Sequence, residues 1–163
     1  MTQEHSIARE GVIAGILGAT AVAVWFLVVD VIAGSPLYTP TLLGTALLSI
    51  VGGTAQESTL TYLVAYTIVH YAAFIASGLA VSYVVHKAAT EPSVLLIFML
   101  LFIIFELGFY GMTLMLAETA LRSLAWYQIA AGNVLAALVM GVYMWRTHPA
   151  LGQEFAHAMG GEE

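Results

Sequence analysis

Apolar residues gather into four long runs separated by short polar breaks. Residues 11–33 contain one charge, Asp30, near the end of the run; residues 60–85 contain no Asp, Glu, Lys or Arg; residues 93–117 contain only Glu106; residues 124–145 contain none. A helix rising 1.5 Å per residue needs about 20 mostly apolar residues to cross roughly 30 Å of hydrocarbon. The pattern therefore predicts membrane-crossing helices at about 11–33, 60–86, 92–117 and 122–146. The breaks are Gly34-Ser35-Pro36, residues 86–92 and residues 118–123. Pro92 suits a helix start, where its missing N–H is not needed. Pro149 closes the last run, and residues 149–163 read as a short polar tail. The first run is longer than the 7–15 apolar residues of a signal peptide, and Glu4 and Glu10 outnumber Arg9 ahead of it. It reads as a retained span.

One connection is long. Residues 34–59 read GSPLYTPTLLGTALLSIVGGTAQEST and hold no basic residue. A short helix at about 41–51 fits within it, opened by Thr39-Pro40 and stopped by Gly52-Gly53. It is too short to span, so it is expected to be interfacial or re-entrant. As a functional element it would act as a lid or a docking surface.

Composition changes the solvent. The chain is 61% apolar and only 9% charged, where an ordinary soluble domain carries about 25% charge. Mean hydropathy is +0.93. A soluble domain of 163 residues could not hide that much apolar surface. The expected fold class is an all-α integral membrane protein: a four-helix transmembrane bundle, one membrane domain over residues 1–163, with the short helix between the first and second spans. Ten acidic residues face four basic ones without a basic stripe, which argues against nucleic acid as a partner. With no Cys, disulfides, thiolate metal sites and Cys nucleophiles are excluded.

Basic residues orient the chain. If the N-terminus is cytoplasmic, that side receives Arg9, Lys87 and Arg146 and the other only Arg122. Both termini are then cytoplasmic. Tyr38, Tyr62, Trp126 and Tyr127 would mark the outer interface, and Tyr83, Tyr143 and Trp145 the inner one. Small residues mark seams for close helix approach: Gly11, Gly15, Ala19 and Ala23 on the first span, Ala73, Ser77 and Ala80 on the second, and Ala130, Asn133, Ala137 and Gly141 on the fourth. Packing within the bundle is favoured over a dimer interface.

Ionisable groups inside a membrane are costly and usually turned from lipid. His70 lies about 15 Å below the outer end of the second span and Glu106 about 16 Å below the same surface. With Asn133 slightly deeper, Gln128 slightly shallower and Tyr66 four residues before His70, they form a predicted intramembrane cluster, and Asp30 sits near its outer mouth. Three roles compete for it: a hydrogen-bond network that fixes helix register, a path for protons or a polar solute, and a metal or haem site. Metal is the weakest of these, because His70 and Glu106 are only two ligands and no second helix offers histidines across a haem. His86-Lys87 reads as a positive-inside anchor, and His148 and His157 as solvated tail residues. No nucleophile elbow or phosphate-binding glycine loop is present, so the chain leans away from enzymes.

The leading expectation is an accessory subunit of a larger bacterial membrane complex, of energy-converting, respiratory or photosynthetic type. Its partners would be the bilayer and other membrane subunits or further copies. The Phe98, Phe102, Phe105 and Phe109 side of the third span would suit a lipid or pigment. A small proton-coupled transporter or channel around His70 and Glu106 is the alternative, and a metal- or haem-binding redox protein the third choice.

Overall fold

The computed structural model describes residues 6–50, 52, 57–88, 91, 93–94, 100, 103 and 126–148. Among them are four main helices: α1 (Ile7–Ile32), α2 (Tyr38–Ile50), α3 (Thr59–Ala88) and α4 (Trp126–Thr147). Helices α1, α3 and α4 are each long and apolar enough to cross a membrane. Most of the predicted third span, including Glu106 and the Phe-rich side at 98, 102, 105 and 109, lies outside the described residues, as do Glu118, Arg122 and the tail with His157.

Local chemistry sets the helix ends. Ser6 caps α1, its hydroxyl accepting from the Arg9 N–H. Ser58 caps α3 in the same way through the Thr61 N–H at 3.2 Å. At the far end of α1, Gly34 takes a positive φ of 75°. There the Ser35 N–H reaches the Asp30 carbonyl and the Gly34 N–H reaches that of Val31, the pairing that closes a helix through a left-handed residue. The short helix runs from Tyr38 to Ile50, a few residues earlier than the predicted 41–51, and Pro40 sits in its first turn. It packs mainly along the beginning of α3.

Helix α1 is the hub, touching the other three. Its Gly11 and Gly15 cross Gly78 of α3 backbone to backbone. A Cβ added at Gly11 would sit 2.6 Å from Leu79 Cα, and one at Gly15 would meet the backbone of Phe74 and Ile75. The predicted glycine seam of α1 is thus used inside the bundle. The seams expected on the other spans are corrected. Ala73, Ser77 and Ala80 are exposed, and the buried face of α3 carries Gly78 and Ser82 instead. On α4, Ala137 and Gly141 are exposed, while Gly132, Ala136, Met140 and Met144 are buried. The reason is that glycines on one helix receive large side chains from another. Gly18 makes room for Met140 and Phe74, and Gly132 makes room for Trp25 and Phe26. One core layer joins Ala14, Met140 and Met144, and a second joins Val22, Phe26 and Ala136. Phe74 packs against both.

Candidate functional site

Polar side chains collect at three levels along α1. At its C-terminal end, Asp30 is 3% exposed and Thr39 fully buried. The Thr39 N–H donates to Asp30 Oδ2 at 2.8 Å and the Thr39 hydroxyl to Oδ1 at 2.7 Å. The carboxylate therefore caps α2, satisfying a free N–H of its first turn and meeting the positive end of its dipole. These contacts follow Leu37, which holds φ at 68°, a conformation that costs a branched residue about 1–2 kcal/mol. Asp30, expected near the outer mouth of the polar cluster, is the clasp that folds α2 back, and it also lines a cleft with Tyr66. Tyr62, expected as an interfacial anchor, is 7% exposed. It lies under Gly44 of α2, and its hydroxyl accepts from the Glu57 N–H. Tyr38, Tyr83, Tyr127 and Trp145 are exposed, as anchors would be.

Midway, His70 stands 3.0 Å through Nε2 from the Ala19 carbonyl of α1. A carbonyl only accepts, so Nε2 carries a proton. Nδ1 meets the Tyr66 hydroxyl at 3.3 Å. Tyr66 stacks on the imidazole and Phe74 and Tyr71 flank it. Next to this group, Thr20 of α1 and Tyr71 of α3 share a hydroxyl–hydroxyl bond of 3.1 Å. Of the predicted cluster, the structure brings Tyr66 and His70 together. Gln128 contributes only its backbone carbonyl, which accepts from Trp25 Nε1 at 2.9 Å and ties α4 to α1. Asn133 is half-buried on α4. A cleft of about 400 Å³ between α1, α2 and α3 is lined by Thr20, Asp30, Leu37, Tyr66, Thr67 and Tyr71.

At the beginning of α1 a third group appears that the sequence did not signal. Glu10 is 5% exposed. Its Oε2 lies 3.7 Å from His86 Nε2, in the last turn of α3, and 3.4 Å from His148 Nε2, just past α4. The two imidazoles stand edge to face with centroids 4.8 Å apart, and the three ligand-type atoms all lie within 4.8 Å of one another. Nδ1 of His86 bonds the Ser82 carbonyl at 2.8 Å. Nδ1 of His148 bonds Thr147 Oγ1 at 3.1 Å. These are the residues read as an N-terminal flank, an anchor and a solvated tail. Each is polar at the end of a span, which alone signals solvent. Their shared end and their residue types, two imidazoles and a carboxylate, were the available clue. Lys87 is paired with Glu91 at 2.9 Å on the surface.

Comparison with known protein families, with characterised proteins and with solved structures found no match.

Proposed function

We propose that the chain is a small polytopic protein of a bacterial inner membrane, both ends cytoplasmic, serving as an accessory subunit of a larger energy-converting, respiratory or photosynthetic assembly. The observation that carries this is the closure of His70. Both ring nitrogens are taken by groups of α1 and α3, the arrangement of a residue that locks two helices. Asp30 is likewise consumed by α2. Intramembrane ionisable groups pair with one another or with backbone groups, and these two are bonded within the bundle. Apolar faces point outward: Leu17, Val24, Val28 and Val31 on α1, and Val134, Leu138 and Val142 on α4. Lipid or neighbouring subunits would cover them. Helices α3 and α4 both end beside Glu10 and so run the same way, which supports a further crossing between them and four spans in all.

The test is the native size of the untagged protein, gently extracted from its own membrane, with an absorption spectrum of the same band. A large multi-subunit band is expected. Migration as a lone chain or small homo-oligomer would overturn the accessory role.

A second reading, a small proton-coupled transporter or channel, draws on the cleft beside Asp30, with its Thr20, Tyr66 and Tyr71 hydroxyls. It predicts that Glu106→Gln and His70→Gln abolish flux in liposomes while leaving the fold intact. The accessory role predicts lost stability and no flux to lose.

A further inference from the structure

We infer that Glu10, His86 and His148 form a binding site for a divalent transition-metal ion, zinc in the first place, which ties α1, α3 and α4 together at one end of the bundle. The inference does not depend on the accessory role.

Geometry separates this group from a closed, hydrogen-bonded pair. A charge-assisted N–H···O bond closes to about 2.7–2.9 Å. The distances from Glu10 Oε2 to the two Nε2 atoms are 3.4 and 3.7 Å. They are too long for that bond. They are near the roughly 3.3 Å edge of a tetrahedron whose ligands each lie about 2.0–2.1 Å from zinc. The spacing thus leaves room for an ion among the three atoms.

The imidazoles are also set in the right tautomer. The Ser82 carbonyl only accepts, so Nδ1 of His86 carries a proton, and the neutral ring of that tautomer would turn its Nε2 lone pair inward. That Nε2 is buried and has no hydrogen-bond partner among the described residues. Thr147 spends its one hydroxyl proton on the carbonyls of Tyr143 and Met144. Its oxygen therefore accepts from His148 Nδ1–H, and the His148 Nε2 is turned toward Glu10. Ligating histidines are characteristically held this way, through the other ring nitrogen.

The donor set selects the ion. Imidazole nitrogens disfavour calcium and magnesium, which take oxygen ligands. Two imidazoles and a carboxylate suit zinc and its first-row neighbours. Three protein ligands leave a fourth tetrahedral position for water or an outside ligand, so the site is open and not a closed structural cage.

The test uses the full chain in detergent, purified without a histidine tag and stripped with a chelator. Zinc is titrated against a chromophoric competitor, and cobalt is added separately for its visible spectrum. We expect about one ion per chain, a raised melting temperature and an intense tetrahedral cobalt spectrum. His86→Ala and His148→Ala should each weaken zinc binding at least about 10-fold, the scale of losing part of a ligand shell, and erase the tetrahedral bands. Should either variant fold poorly, the cobalt spectrum of the unaltered chain still decides. Weak octahedral bands there, or no zinc retained against the competitor, would overturn the site. So would binding that survives both substitutions and disappears with His157→Ala.

Discussion

Helix α1 carries two buried carboxylates, one near each end, and they differ in what surrounds them. Asp30 is saturated at short range by a backbone N–H and a hydroxyl from one residue, Thr39, at 2.8 and 2.7 Å. Glu10 faces two imidazoles from two other helices, at 3.4 and 3.7 Å. The first distances belong to hydrogen bonds that are already made. The second belong to groups held in reach of something between them. A buried acid in a helix end is therefore not one kind of feature: partner distance and donor type separate a clasp from a binding site.

Removing the clasp should have the largest effect on stability. Asp30→Ala deletes two hydrogen bonds to a buried charge, each on the scale of about 1.5–3 kcal/mol, and leaves the Leu37 backbone conformation unsupported. A loss of about 3 kcal/mol in detergent unfolding is expected, together with protease cleavage within residues 38–50. Unchanged protease resistance would mean that α2 is held by its packing on α3 alone. Thr39→Val keeps the backbone bond and loses only the hydroxyl, so about 1.5–2 kcal/mol should go.

Midway between the two carboxylates, His70→Phe keeps the aromatic contacts and removes the bond to Ala19, for a loss of about 1 kcal/mol. That substitution should leave zinc affinity untouched, since His70 lies in a separate cluster. The smallest effect is expected at the other carboxylate in the absence of metal. Glu10→Gln keeps the side chain's shape and one acceptor oxygen, and its cost is expected to be about 0.5–1 kcal/mol, the scale of one neutral hydrogen bond. With zinc present the order of sensitivity changes, because the increment given by mass action, about 2.7 kcal/mol at a hundredfold excess over Kd, is then withheld from the variant.

Much of the architecture was legible in the hydrophobic pattern. Three long apolar helices stand where the runs placed them, and the short helix between the first two is there. Periodicity reports which residues are apolar, and long runs report it well. It is less able to say which face of an apolar helix packs. On α4 the small residues Ala137 and Gly141 face outward, and Met140 and Met144 face in, because Gly18 of α1 supplies the notch that the seam rule sought on α4 itself. The Tyr66–His70 contact was readable from a spacing of four on one helix. The role of Asp30 was not, because it depends on a tight turn that brings Thr39 back to it. Glu10, His86 and His148 are distant in sequence, and each looks like an ordinary span end. Only the direction in which α1, α3 and α4 run makes them neighbours.

The central claim, that the two carboxylates of α1 have different jobs, is tested most directly by one comparison of melting temperatures. The chelator-stripped chain, Glu10→Gln and Asp30→Asn are each melted in detergent with and without saturating zinc. The account predicts that zinc raises the midpoint of the unaltered chain and of Asp30→Asn, which starts lower, and leaves Glu10→Gln where it was. An equal shift in Glu10→Gln, or no shift in the unaltered chain, would contradict it.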